Sequence, residues 1–409
     1  MPQPLVSLCI PTFERARYLR SLLQGLVEQM AAFPYPFEVV VADNASSDDT
    51  AEVLAAFQGQ LPLRCLRHEQ NIGCFANVQF VMLQAAGTYA VYLADDDCVL
   101  GEPLARAIAA MQADPAIAVC YAPWLLHDLV ADAPQGQFYQ VPHDLHIARH
   151  AHGELLGHVL KHHVFPEVHI ARREVLQRLM PRINEHAFYA FVQAADYLGQ
   201  GDVLIRQEPF YVSITRYFAD EQRTQAGNNE VEYAWDRYRG GLEYMLARAG
   251  NSIGSEERAG FTLRVQQMIA VRMSVAIRLR HHARKDPVDT YIIAMRLRGM
   301  GYEHLCPVPM DTLASQAMLH FLLKDPLLNH GVKKLVCLGH IDAGAGDYLK
   351  QHAQVPVRFV DELPQPGHLD DTLLFVSDAA STLPGDAALP KRRNLQVVHE
   401  RDLCARFGL

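Results

Sequence analysis

Long apolar runs are missing from this 409-residue chain. No stretch approaches the roughly 18 to 20 apolar residues of a membrane span, and Met1-Pro2-Gln3-Pro4-Leu5 lacks the basic and apolar regions of a secretion signal. Paired cysteines are missing too. The eight cysteines (9, 65, 74, 98, 120, 306, 337 and 404) include no CxxC, and several lie in strand-like runs where a reduced thiol packs as a small hydrophobe. Neither a disulfide framework nor a cysteine zinc site is expected, and the expected location is cytoplasmic, with at most peripheral contact at the inner face of a membrane. Positive charge is not in excess. With 37 basic and 46 acidic residues the net charge is −9, which argues against nucleic acid as a partner and leaves room only for a local basic patch. Glycine-rich phosphate loops are absent after the first strand-like segment: neither GxGxxG nor GxxxxGK[ST] occurs there, so an ordinary dinucleotide fold and a P-loop nucleotide hydrolase are excluded.

What is present is globular: half the residues are apolar and a fifth charged, and the length predicts two or three domains. Leu5–Ile10 reads as a short buried strand stopping at Pro11-Thr12-Phe13-Glu14, followed by helical spacing through Leu19, Leu22, Leu23, Leu26 and Met30. Phe37–Ala42 is a second strand, ending at Asp43-Asn44-Ala45-Ser46-Ser47-Asp48-Asp49-Thr50, where Ser47, Asp48 and Asp49 offer caps for a helix to Phe57. A third strand near 63–68 leads to Asn71-Ile72-Gly73 and a helix over 75–85. The fourth, from Tyr89, runs straight into Asp95-Asp96-Asp97. This alternation predicts a parallel sheet with right-handed crossovers, and it puts Thr12, Glu14, Asp43, Asn44 and Asp95 to Asp97 on one carboxyl edge, where open α/β sheets place ligands. Three adjacent carboxylates repel one another unless a cation neutralises them, and hard oxygen ligands suit Mg²⁺ or Mn²⁺. The plainer alternative is a solvated acidic turn.

The order PTFER, VVVADNASSDDT, NIG and GTYAVYLADDDCVL resembles the nucleotide-sugar half of the GT-A glycosyltransferases of family 2, closely over about 5–125 and more loosely to about 215. The resemblance implies an inverting, metal-dependent transferase that moves a sugar from a nucleoside-diphosphate sugar to an acceptor hydroxyl, with a glycan, glycolipid or protein as acceptor. It further implies that Pro11, Thr12, Glu14 and Asn71 line the nucleoside pocket, that Asp43 accepts from the base, that Asp95 and Asp96 face ribose and diphosphate, and that Asp97, with Asp95, holds Mn²⁺ or Mg²⁺. Asn44 and Ala45 depart from the family's Asp-Gly at these positions, which leaves base preference open. The family's base is an Asp or Glu at the start of a later helix. Its usual Glu-Asp pair is absent here, and Glu185, then His186, then Asp196, are the candidates. That absence sustains the alternative of a non-catalytic nucleotide-sugar binding or scaffold protein. A nucleotidyltransferase would want a glycine- and lysine/arginine-rich loop that Pro11 to Arg17 does not supply.

His143, His146, His150, His152, His158, His162, His163 and His169 form a histidine-rich segment. The x3 spacings of 146/150 and 158/162 would put two imidazoles on one helical face, as zinc sites can. Val203–Ile205 and Phe210–Val212 read as the last strands of a catalytic domain over 1–218. A helical module is expected over 219–330, where a helix opens at Ser255-Glu256-Glu257, buries Phe261, Val265, Met268, Ile269, Met273 and Ile277, and ends in Arg278, Arg280, His281, His282, Arg284 and Lys285. Those basic residues read as dipole complement or as a patch for anionic headgroups. A small Rossmann-like α/β domain is expected over 331–409, its Gly339–Asp347 turn too irregular for GxGxxG and a dinucleotide therefore not anticipated.

Overall fold

The computed structural model describes residues 3–179, 185–220, 235–378 and 392–409. β1 (Val6–Thr12) forms because Val6, Leu8, Cys9 and Ile10 are apolar on both faces, and all four are fully buried. The chain then turns into α1 (Ala16–Gln29), whose Leu19, Leu22, Leu23 and Leu26 make one buried stripe. β2 (Phe37–Asp43), α2 (Thr50–Phe57), β3 (Leu63–Arg67), α3 (Cys74–Leu83) and β4 (Tyr89–Tyr92) repeat the unit. After them come β5 (Cys98–Val99), α4 (Gly101–Ala113), β6 (Ile117–Tyr121), β7 (Trp124–Asp128), β8 (Ala133–Gln137), β9 (Leu145–Ile147), α5 (His152–His162), β10 (His169–Arg172), α6 (Arg173–Leu179), α7 (Tyr189–Leu198), β11 (Asp202–Ile205) and β12 (Tyr211–Arg216).

The main sheet has the order β3-β2-β1-β4-β10-β6-β11-β9. Its first four strands are parallel, as the alternation predicts. β10 reverses direction between β4 and β6, and β9 is an antiparallel edge, so the sheet is mixed. A second sheet, β5-β12-β7-β8, lies beyond the acidic stretch. The apolar run read as one strand into the acids therefore ends at Tyr92 and resumes as β5 in the other sheet, with the carboxylates in the turn between them. The 146/150 histidine pair is a correction of another kind: His146 lies in β9 and His150 has φ +69, so these two do not share a helical face. His158 and His162 do share α5, their rings stacked 5.8 Å apart.

Among the described residues the chain forms two compact units, and the division falls between Ile269 and Ala270. It lies inside the helix Ser255–His282, whose six expected core positions, Phe261 to Ile277, are all at most 6% exposed. The second unit contains helices Pro287–Gly299 and Met310–Lys324 and a fully parallel sheet of order β14-β13-β15-β16. These are β13 (Lys334–Leu338), β14 (Val357–Val360), β15 (Thr372–Val376) and β16 (Leu395–His399), cored by Val336, Leu338, Leu374 and Val376. The Rossmann-like reading of this segment is what the strands form. Arg280, counted in the sequence among surface cations, is instead 1% exposed and donates to Thr290 Oγ1 and the Asp286 carbonyl. All eight cysteines are free thiols. Among the described residues no helix is long and apolar enough to cross a membrane.

Candidate active site

Strand register builds the site. Thr12 pairs across from Asp43, and Cys9 from Tyr92, so the carboxyl ends of β1, β2 and β4 emerge on one edge. There the Thr12 hydroxyl donates to Asp95 Oδ2 at 2.7 Å. Arg15 Nη1 reaches Asp95 Oδ1 at 3.3 Å and Asp96 Oδ2 at 2.5 Å. Asp97 turns toward the second sheet: Tyr211 Oη donates to its Oδ2 and the Ile214 N–H to its Oδ1, both at 2.8 Å, while the Ala94 N–H donates to Tyr211 Oη. One tyrosine on β12 thus fixes both ends of the acidic turn. Asp95 and Asp96 are 6% and 8% exposed. Burial, followed by the charge of Asp96, pushes the carboxyls of Asp95 and Asp97 well above the usual carboxylate range. A buried acid cluster so disposed favours a positive partner.

The flanking loops are locked to this edge. Glu14 adopts φ +54, its N–H donates to Ser46 Oγ, and its Oε1 accepts from the Ser47 N–H and hydroxyl at 3.0 and 2.5 Å. Asp48 joins two helix starts, accepting from the N–H of Ala16 and from the N–H and hydroxyl of Thr50. Asp43 is 2% exposed; its Oδ1 accepts from the Ser46 N–H and its Oδ2 pairs with Arg67 at 2.6 Å. Asn44 sutures the edge, its N–H donating to the Thr12 carbonyl, its Nδ2 to Asn71 Oδ1, and its Oδ1 accepting from the Ile72 N–H. Pro11 sits opposite Ala42 in the same ladder. Pro11, Thr12, Glu14, Asp43, Asn71, Asp95, Asp96 and Asp97 are accordingly gathered on one sheet edge.

The base candidates separate. α7 leads through a short turn into the start of β11, so its beginning is on the carboxyl edge and its end near the opposite one. Glu185 and His186 stand exposed just ahead of α7, where the Phe188 N–H donates to the Arg237 carbonyl. Asp196 lies in the last turn, accepting from Tyr244 Oη at 2.8 Å and pairing with Arg248 at 3.0 Å, and it is set aside as a base. A carboxylate that periodicity does not flag is Glu167. Because β10 is antiparallel to β4 with Ile170 opposite Val91, Glu167 comes level with Ala94, beside the acidic turn, and accepts from Tyr189 Oη at 2.8 Å. The histidines go elsewhere. His169 is buried between Tyr92 and Tyr121, and His146 pairs with Asp202 at 3.0 Å and Asp114 at 3.6 Å. Those three, at the amino edge of β6 and β11, are the one His/Cys/Asp/Glu trio among the described residues whose ligand atoms lie within 4.8 Å of one another.

A parallel four-strand half, an acidic turn at its carboxyl edge and a strand reversal immediately beyond it define the GT-A fold. Residues 7–179 match the profile of Glycosyl transferase family 2, and this part of the chain is a domain of that family. The abequosyltransferase RfbV of Salmonella typhimurium is 32% identical over 103 residues, 25% of this chain and 31% of that protein. The poly(ribitol-phosphate) beta-N-acetylglucosaminyltransferase TarS of Staphylococcus aureus is 33% identical over 105 residues, 25% of this chain and 18% of that one. The chain thus spans a third or less of the length of these curated relatives. Among solved structures, S. aureus TarS 1-349 with UDP-GlcNAc aligns at a TM-score of 0.48 and 16% identity, over 74% of this chain and 90% of that one. The mannosyltransferase PcManGT from Pyrobaculum calidifontis, in complex with GDP-Man and Mn²⁺, aligns at 0.42 and 17%, over 77% and 87%.

Proposed function

We propose that the protein is an inverting glycosyltransferase that moves a sugar from a nucleoside-diphosphate donor to an acceptor hydroxyl, with Mn²⁺ or Mg²⁺, in the synthesis of a bacterial-type surface glycan or glycoconjugate. The observation that carries this reading is the buried pair Asp95 and Asp96, bridged by a cationic nitrogen at the sheet edge where the family domain has its nucleotide-sugar end. The donor set fits a divalent ion: Asp95 and Asp97 offer hard carboxylate oxygens only, and burial raises both above the usual carboxylate range, a shift that added positive charge opposes. Asp97 and Asp95 would hold it, and when bound it supplies charge stabilisation to the departing diphosphate.

The chain's own residues do the rest. Thr12 and Tyr211 orient two of the acids by direct hydrogen bonds, which removes reorganisation cost from the charged turn. Asp43, with Pro11, Glu14 and Asn71 around it, receives the nucleoside, and Arg67 pairs with its Oδ2 at 2.6 Å. The acceptor hydroxyl has to surrender a proton on the side away from the nucleoside strands, and Glu185 is the first candidate to take it. Asp97→Ala should abolish Mn²⁺-dependent release of nucleoside diphosphate from the sugar donor, with a thermal melt confirming that the variant folds. Wild-type turnover by that variant would refute the reading.

A further inference from the structure

We infer that Arg15 is the resident counter-ion of the acidic turn, neutralising Asp95 and Asp96, and that it passes to the diphosphate when donor and metal bind. This rests on the reading of the turn as the donor site.

The argument starts from one atom. Nη1 of Arg15 alone meets a carboxylate oxygen of each residue, Asp95 Oδ1 at 3.3 Å and Asp96 Oδ2 at 2.5 Å. Two neighbouring buried carboxylates repel, and a shared positive nitrogen relieves that in the absence of a metal. Orientation is not its main task. Asp95 is already held by Thr12 through its other oxygen, at 2.7 Å, so what Arg15 adds there is charge.

The local backbone holds the base of Arg15 in place. Before it, Glu14 is clamped to Ser46 and Ser47; after it, the Ala16 N–H is clamped to Asp48. The Arg15 carbonyl is engaged as well, accepting from the N–H groups of Tyr18 and Leu19 in the first turn of α1. The side chain itself is 23% exposed and lies with its guanidinium 5.9 Å from the centre of the Tyr18 ring. A divalent ion held by Asp97 and Asp95 would draw on the same Asp95 carboxylate that Arg15 neutralises, so the two cations compete for it. Displaced, the guanidinium is a planar fork suited to phosphate oxygens, and a diphosphate beside the acidic turn is the nearest anion it would meet. Metal uptake and donor binding are thereby coupled through one residue.

The test uses the full chain and two probes that need no knowledge of base or sugar: Mn²⁺ alone, followed by the loss of its free-ion paramagnetic resonance signal, and inorganic pyrophosphate, titrated calorimetrically at saturating Mn²⁺. Arg15→Met should bind Mn²⁺ roughly tenfold tighter than wild type and pyrophosphate roughly tenfold more weakly, each the worth of about one charge-assisted hydrogen bond. Arg15→Lys, which keeps the charge, should bind Mn²⁺ as wild type does. A residue with a purely structural role would weaken both or move neither, and either of those results overturns the inference. If wild type binds Mn²⁺ and Arg15→Met binds it no tighter, the counter-ion role fails and the donor-site reading stands. If neither protein binds Mn²⁺, both fall.

Discussion

His169 is 5% exposed in the middle of the main sheet, stacked on Tyr92 at 6.4 Å with its Nδ1 2.7 Å from the Glu167 carbonyl. Burial lowers its pKa from the ordinary 6.5 to about 4. Between those values the unfolded chain binds a proton that the folded chain does not, so this group's contribution is fully present above pH 6.5 and lost as the pH falls toward 4. The difference is worth about 3 kcal/mol. Denaturant unfolding at pH 7 and pH 4 should therefore show a steeper acid loss in wild type than in His169→Gln, by that amount; equal losses would place the protonation elsewhere. At this scale the sequence was partly legible. Three consecutive acids after an apolar run are physically odd enough to be noticed unaided. Arg15 and Glu167 were not legible as site residues. The Arg15 to Asp95 pairing spans 80 residues, and the place of Glu167 depends on a strand reversal that His169-Ile170-Ala171-Arg172 does not announce.

Elements carry the edge. The parallel half was readable because each strand is a short apolar run ended by polar residues, and each helix buries a periodic stripe. The mixed half was not, since strand direction leaves no mark on composition when both faces are buried. The segment holding Glu185 and His186 is positioned by helix Trp235–Arg248, where Gly240 packs so closely that a Cβ would come within 2.1 Å of the His186 carbonyl oxygen. Gly240→Ala should therefore cost about 1–3 kcal/mol and displace that segment. Donor binding should survive and transfer should fall, which calorimetry and a transfer assay separate. On the same elements, Glu185→Gln should leave nucleotide binding intact and cut transfer by a large factor. Full transfer by Glu185→Gln together with its loss in Glu167→Gln would move the base to the start of β10.

Across the whole molecule, the second unit has a core of its own. Tyr291 Oη donates to the Phe407 carbonyl at 2.6 Å, and the rings of Phe321 and Phe407 lie 5.9 Å apart, so the helix Glu400–Phe407 packs on the helices Pro287–Gly299 and Met310–Lys324. Phe407→Ala should destabilise this unit by about 3 kcal/mol, read as a lower midpoint in denaturant. At the start of the helix Ala343–His352, which follows the first strand of the parallel sheet, Asp342 Oδ1 accepts from the N–H groups of Gly344 and Ala345, so a side chain of the protein caps the turn.

The central claim is that the acidic turn of the first unit takes a nucleoside diphosphate together with a divalent ion. Calorimetric titration of the full chain with a panel of nucleoside diphosphates, with and without Mn²⁺, tests it most directly. The account predicts at least one that binds tenfold or more tightly with Mn²⁺, an enhancement absent from Asp95→Asn and Asp97→Asn. Binding of none, or equal binding with and without the ion in wild type and both variants, would contradict it.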